Sequence, residues 1–377
     1  MNKNKIKGLY IHIPFCSSIC SYCDFCKMVA STSFKDKYIS YLIKEMNLKK
    51  EYFNDLETIY IGGGTPSSLN LSELDEILSA LNKLINLEKI KEFTIEANPN
   101  DINLDFINLI KKYHVNRISL GIETLNQKKL KLLNRTHNKK DVLNNLKLLK
   151  INDINNINAD LIYAVGDESF RIIKKDIRTL KKYVTHFSCY SLILEEKTVL
   201  YKKYQKNEFS LMNEEKEAKL YTKIVKLLKA LKFNHYEVSN FSINGYESKH
   251  NLIYWNNEHY IGLGLNASYY IEDTRYTNID KFELYYNGID NNKLIYSEEI
   301  KLNKEDIMTE FIMLGLRKMK GISLKEFKEL FDLDFFEVYP FIYDLIKNDV
   351  LEFNDDYLRI NSNKIYVMNE ILLKFMK

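Results

Sequence analysis

The stretch YIHIPFCSSICSYCDFC, residues 10–26, decides how this chain is read. Its first half closes a short β-type run, 8–13. Behind it Cys16, Cys20 and Cys23 are spaced CxxxCxxC, with the aromatic Tyr22 directly before the last thiol. Three thiolates in one short loop can hold three irons of a 4Fe–4S cube and leave the fourth iron open to chelation by a small molecule. Cys26 extends the run to CxxxCxxCxxC and is a fourth candidate ligand. Zinc is the competing metal, but zinc sites draw on separated ligand pairs and here every donor shares one loop. Iron–sulfur is the better reading.

Totals narrow the class further. At 377 residues the chain exceeds one average domain, and a barrel with an appendage fits. A hydrophobic content of 45% is that of a globular protein with a large core. The net charge of +4 is small and diffuse, giving no reason to expect nucleic acid or a membrane as main partner. No run of apolar residues is long enough to span a bilayer, and the start, MNKNKIKGLYIHIPF, has too short an apolar core for a signal peptide. A cytoplasmic location is expected. Four of the five cysteines cluster, which suits metal binding in a reducing compartment better than a disulfide framework. The fifth, Cys189 in FSCYSL, reads as a small buried apolar residue.

Outward from the cysteine loop, β-type runs at 8–13, 58–61, 93–97, 117–121, 157–162 and 186–192 alternate with helical patterns. Ile39, Leu42, Ile43 and Met46 repeat at helical spacing, as do Leu74, Ile77, Leu78 and Leu81 behind the cap candidate Ser72, and a further helix covers 214–231. Such alternation predicts an α/β fold, a parallel partial (β/α)6 TIM-like barrel with its site at the C-terminal ends of the strands. The barrel core is expected over 1–240. A Tyr-, Asn- and Gly-rich extension follows over 241–300, then a winged-helix-like α+β domain over 301–377. In that last part Ser323 and Glu326 suggest a capping box ahead of Leu324, Phe327, Leu330 and Phe331, and Asn354-Asp355-Asp356 suggests a hairpin turn. No basic recognition helix stands out, so a lid or packing module is expected.

Several motifs fall at the predicted strand ends. Gly62-Gly63-Gly64-Thr65-Pro66 is by itself a tight strand–helix turn; beside a cysteine loop it reads as a backbone surface for a ligand. Glu96 and Asp160 are either solvated carboxylates or a pair suited to ribose hydroxyls or a ligand ammonium. Arg135 is either a surface arginine or a fork for a carboxylate. Around His250, the segment 236–260 carries Tyr254, Trp255 and His259. A histidine among aromatics suits heme, but the chemistry alone favours an aromatic-rich packing loop.

Taken together, YIHIPFCSSICSYCDF, IYIGGGTPS, EANP, RISLGIET, LNRTH, NADLIY, HYEVSNF, SKHNLIYWN and YIGLG occur in order over nearly the whole length. On these strings the chain resembles the radical S-adenosylmethionine (SAM) superfamily, within it the group of oxygen-independent coproporphyrinogen III oxidase and the related heme chaperones. The resemblance implies a radical-SAM partial barrel, with Cys16, Cys20 and Cys23 as ligands of a 4Fe–4S cluster. It implies SAM contacts at Tyr10, Tyr22, Gly63, Gly64, Thr65, Glu96, Glu123, Arg135 and Asp160. The HNLIYW string is similar to a heme-associated motif of the chaperones and turns His250 into a heme contact. The cysteine loop starts at residue 16 without the oxidase's N-terminal extension, and CDFC replaces the oxidase's CxC. These two features and the HNLIYW string favour a heme chaperone over an oxidase converting coproporphyrinogen III to protoporphyrinogen IX. A degenerate SAM-binding protein is the third reading. The partners implied are heme, an apo-hemoprotein acceptor and an electron donor, with transient contact to a membrane protein compatible with that role.

The chain also departs from the group's pattern. Glu123 stands where the oxidase has glutamine, DLIYAVGD replaces DLIYGLPG, and GLGLNA replaces GLGxGA. Cys26 has three readings: an alternative cluster ligand, a thiolate near heme, or a bystander.

Overall fold

The structure is a computed structural model that describes residues 5–376. The first four residues, which open the stretch weighed as a signal peptide, and the last one lie outside the described residues. The chain runs β1 (Gly8–Ile13), α1 (Thr32–Leu48), β2 (Thr58–Gly63), α2 (Leu71–Leu84), β3 (Glu92–Ala97), α3 (Leu104–Lys112), β4 (Arg117–Glu123), α4 (Gln127–Leu132), α5 (Lys139–Ile151), β5 (Asn156–Tyr163), α6 (Phe170–Leu180) and β6 (His186–Ser191). β1 to β6 pair in sequence order and all in parallel, as expected from the alternation. Then come α7 (Val199–Gln205), α8 (Glu214–Ala230) and the hairpin β7 (Asn234–Glu237) and β8 (Asn240–Ser242), which joins β6 antiparallel.

The Tyr- and Asn-rich stretch extends the same sheet. It folds as α9 (Lys249–Trp255), β9 (Tyr260–Leu263), β10 (Ser268–Ile271), β11 (Thr274–Asn278), α10 (Phe282–Asp290) and β12 (Tyr296–Lys301). β9 pairs in parallel with β1, so the twelve strands run β12-β11-β10-β9-β1-β2-β3-β4-β5-β6-β8-β7. Among the described residues the two edge strands, β12 and β7, do not pair with each other, and the barrel is partial.

The period-2 alternation of each strand sorts its side chains. Leu9, Ile11, Ile59, Ile61, Phe93, Ile95, Ile118, Leu120, Ile157 and Phe187 are fully or almost fully buried in the apolar core. The intervening positions are polar or glycine, apart from Ile162 near the end of β5. There Tyr60 donates to Glu96, Ser119 to Asp160 and Asn158 to Ser119, each bond crossing between strands. Barrels of the ordinary (β/α)8 kind fill this space with branched apolar layers. Here a polar lumen opens toward the strand ends that carry the candidate residues.

Two cap expectations change. The N-cap of α2 is Asn70 rather than Ser72: Asn70 accepts from the Glu73 N–H at 2.8 Å and Glu73 accepts from the Asn70 N–H at 2.7 Å. Ser72 only donates its hydroxyl to Asn70. The end of the chain forms α11 (Lys304–Gly315), β13 (Ile322–Ser323), α12 (Leu324–Phe331), α13 (Phe335–Val338), α14 (Ile342–Lys347), β14 (Leu351–Asn354), β15 (Tyr357–Ile360) and α15 (Met368–Leu372). Ser323 caps α12, accepting from the Glu326 N–H at 3.0 Å. Asp356 supplies the other half of the cap, accepting from the Ser323 hydroxyl at 2.6 Å and the Lys325 N–H at 2.8 Å. The β14–β15 hairpin turns on Asp355 and Asp356, with φ of 46° and 76°, the handedness that matches strand twist. Among the described residues no helix is long and apolar enough to cross a membrane.

Candidate functional site

The cysteine loop leaves β1 and is closed on itself by backbone bonds: Cys16 N–H to the Met28 carbonyl at 3.0 Å and Met28 N–H to Pro14 at 2.8 Å. Buried Ser21 pins its far side. It donates from backbone and hydroxyl to the carbonyls of Leu133 and Leu132, at the end of α4, and accepts from the Leu200 N–H in α7. All four loop cysteines are free and partly exposed. Burial raises the Cys16 and Cys23 thiols, and their neighbours Cys20 and Lys27 respectively raise and lower them. Burial likewise raises Cys26, but the charges around it are Asp280 and Lys27, and none is a cysteine. Other loop cysteines thus act on Cys16 and Cys23, and none acts on Cys26. Among the described residues no three His, Cys, Asp or Glu close around one point, as a single metal ion needs; a cube takes its thiolates at separate corners.

Two groups from other loops reach these thiols. Arg135, beyond α4, donates to Cys20 Sγ at 3.2 Å, and Thr65 Oγ1 lies 3.6 Å from Cys16 Sγ. A guanidinium beside the sulfur complements the negative charge that a cluster carries. The donor set therefore fits a cluster.

The glycine turn after β2 is pressed against the start of the cysteine loop. Gly64 N–H donates to Ile13 at 2.8 Å and Thr65 N–H to Phe15 at 2.7 Å, so a Cβ on Gly64 would come within 2.6 Å of the Phe15 carbonyl oxygen. Gly63, at φ +113°, leaves room for the ring of His12, which a Cβ would meet at 2.6 Å. His12 is a residue that the sequence did not single out. Its Nε2 lies 2.9 Å from the Cys26 carbonyl and its Nδ1 3.0 Å from the Tyr10 hydroxyl. A carbonyl only accepts, so Nε2 carries the proton and Nδ1 accepts from Tyr10. Burial keeps the ring neutral by lowering its pKa.

Three carboxyl groups gather at these strand ends. Glu96 accepts from Tyr60 at 2.7 Å and from the Gly63 N–H at 3.2 Å; burial pushes it up to about 7, with Asp160 adding to the rise. Glu123 is also pushed up to about 7 by burial, opposed by Arg135, whose guanidinium is 3.9 Å away. Its φ of 60° is uncommon outside glycine and falls at an irregularity in the β4–β5 register. Burial and the Glu123 charge raise the phenol of Tyr22, from the cysteine loop. Asp160 accepts from Ser119 and Asn158, both at 2.9 Å, and burial raises it as well. Arg135 completes the ring by donating to Asn98 at 2.7 Å and to the Gly121 carbonyl. The structure thus brings Tyr10, Tyr22, Gly63, Gly64, Thr65, Glu96, Glu123, Arg135 and Asp160 to the mouth where the cysteines lie.

His250 is placed elsewhere. Its ring is buried at the N-terminal ends of the strands, Nδ1 2.7 Å from Thr58 Oγ1 and Nε2 2.7 Å from the Tyr254 hydroxyl. Glu92, at the start of β3, caps α9 by accepting from the N–H groups of Lys249 at 2.9 Å and His250 at 3.0 Å. Burial, with Arg117 second, pulls the imidazole down to about 3, so it is neutral.

Comparison with known proteins agrees with this geometry. Residues 10–180 match the Radical SAM superfamily and residues 302–364 the HemN C-terminal domain. The coproporphyrinogen III oxidase HemN of Escherichia coli superposes with a TM-score of 0.84 over 99% of this chain and 90% of that one, at 17% identity, which speaks to the fold. The heme chaperone HemW of Lactococcus lactis is 38% identical over 99% of this chain and 98% of its own length. That of Bacillus subtilis is 34% identical over 98% and 99%. At that likeness over nearly the full chain, this protein belongs to the HemW family of the radical SAM superfamily.

Proposed function

We propose that the protein is a heme chaperone, which binds heme and passes it to an apo-hemoprotein, with a 4Fe–4S cluster and SAM at the barrel mouth supporting transfer. The observation that carries the reading is the full-length likeness to proteins named heme chaperone, at 38% and 34% identity. Superfamily membership implies the cluster and SAM. In this reading Cys16, Cys20 and Cys23 hold the cluster and Cys26 stays outside the ligand set. Bound there, the two cofactors would supply an electron and a reducible sulfonium. The chain's own part is to orient and to balance charge. Arg135 steadies the Cys20 thiolate, and Glu96, Glu123 and Asp160 offer carboxylates to an ammonium and to ribose hydroxyls. Tyr10, Tyr22, Gly63, Gly64 and Thr65 shape the wall around them.

His250 is the heme contact in this proposal. Because its Nε2 is held by Tyr254, iron can reach that nitrogen only if this bond opens and α9 shifts. We read residues 1–240 as the core, 241–300 as the segment that carries this contact, and 301–377 as a packing module. The test is transfer: the reconstituted chain, loaded anaerobically with heme, is mixed with an apo-hemoprotein and the absorbance of the acceptor followed. Heme appearing in the acceptor faster than from free heme supports the proposal; heme that never binds, or never leaves, contradicts it.

A further inference from the structure

His186 lies outside the ring of residues at the mouth, yet it is fully buried and both of its ring nitrogens are engaged. It opens β6 in register with Asn158 of β5, which stands two residues before Asp160 and so on the same face of that strand. Asn158 is in turn in register with Ser119 of β4. His186 Nδ1 lies 2.6 Å from Asn158 Oδ1, and Nε2 lies 2.7 Å from the Tyr236 hydroxyl of β7.

Chemistry fixes the direction of each of these bonds. The Asp160 carboxylate only accepts, so Asn158 turns its amide nitrogen toward it. Nδ2 donates to Asp160 Oδ1 at 2.9 Å and to Ser119 Oγ at 2.7 Å. The Asn158 oxygen is left facing His186 and the Ser188 hydroxyl, which donates to it at 3.1 Å. His186 Nδ1 must therefore carry a proton. Burial keeps the imidazole neutral by lowering its pKa, so Nε2 is bare and accepts from Tyr236. The Tyr236 oxygen accepts from the N–H of Ser248, the N-cap of α9, at 3.2 Å. The result is a one-way chain of donors, from Ser248 through Tyr236, His186 and Asn158 to Asp160, in which each bond polarises the next. Ser119 closes the clamp by donating to Asp160 Oδ2 at 2.9 Å. With about two lone pairs on each oxygen, the clamped carboxylate keeps acceptor capacity for a ligand at the mouth.

We propose that His186 is a positioning residue for SAM: its Nδ1 proton fixes the Asn158 amide, and that amide holds the Asp160 carboxylate where it grips ribose hydroxyls or an ammonium. It acts through Asp160 and not on the ligand. Without that proton only Ser188 holds the Asn158 oxygen in place, and a flipped amide sets its oxygen against the carboxylate. The inference rests on the SAM assignment above and goes beyond it by naming what orients the gripping group.

The test is SAM binding by the cluster-reconstituted full chain, measured calorimetrically as a double-mutant cycle of His186→Met and Asp160→Asn. His186→Met is expected to weaken binding about tenfold, the scale of a hydrogen bond to a charged group. In the Asp160→Asn background, itself weaker than wild type, the same change is expected to cost little more. His186→Gln is expected to return affinity to within about threefold of wild type, because its amide can donate to Asn158 and accept from Tyr236. Tyr236→Phe removes only the hydroxyl that selects the tautomer. It is expected to weaken binding about threefold, again only while Asp160 is present, and it serves if His186→Met does not fold.

A purely structural histidine would give losses that add across the cycle. Additive losses therefore overturn the role of His186, as does wild-type affinity in both His186→Met and Tyr236→Phe; in either case the SAM assignment stands. Asp160→Asn with wild-type affinity overturns the contact through which His186 acts, and the proposal with it. A wild-type chain that binds no SAM overturns both this inference and the assignment beneath it.

Discussion

Ala164 sits where the group's string DLIYGLPG has glycine, yet its φ is 61°, and Asn266, in the glycine place of GLGxGA, has φ 57°. The chain keeps the left-handed backbone at both positions after losing the residue that adopts it freely. Asparagine tolerates that region, whereas alanine is strained there by about 1 kcal/mol. Ala164→Gly is therefore expected to stabilise the protein by up to about 1 kcal/mol in a urea titration, less the entropy that glycine adds to the unfolded chain. A destabilised variant would show that no strain is stored. Cys20→Ala should abolish the cluster's visible absorbance after reconstitution, and a fully assembled cluster in that variant would defeat the ligand assignment. Glu96 and the glycine turn were legible because they stand at strand ends, whereas Tyr10, Tyr22 and Glu123 came only with the resemblance. His12 was not legible, since its role depends on Tyr10, Gly63 and Cys26 meeting around one ring.

Among the elements, α1 and its C-cap Lys49 carry a pair that no helical pattern announces. Glu45 and Lys49 form a buried ion pair at 2.9 Å. Glu45 also accepts from the Gly264 N–H at 2.7 Å, Tyr285 at 2.8 Å and Asn278 at 2.9 Å, while Lys49 donates to the Gly262 carbonyl at 2.9 Å. This network ties α1 to β9 and the turn behind it. Glu45→Ala leaves the ammonium buried without its partner, and a loss of about 3–5 kcal/mol is expected in denaturant unfolding; a loss under about 1 kcal/mol would mean that water reaches Lys49. At α9, His250→Ala should weaken heme binding while the cluster absorbance stays intact. An unchanged heme affinity would leave His250 as a plug of the barrel floor and remove it as a heme contact. The HNLIYW string conveys its likeness to heme proteins but not its burial, which comes from Thr58 and Glu92, far away in the chain.

For the whole molecule, the parallel barrel was legible from six β-type runs separated by helical patterns. The sheet's growth through β9 to β12 was hidden. Those strands are mostly short, and β9 finds its partner in β1, at the other end of the chain. Contacts of that sequence separation leave no local period to read. The architecture places a polar lumen and a cysteine loop at one end and the α9 segment at the other. HemN has the same fold, so the fold alone does not separate carrying heme from making its precursor.

The measurement that separates them is anaerobic incubation of the reconstituted chain with coproporphyrinogen III, SAM and a reductant, beside a heme titration of the same preparation. The account predicts stoichiometric heme binding and no protoporphyrinogen IX. Catalytic formation of protoporphyrinogen IX would contradict it.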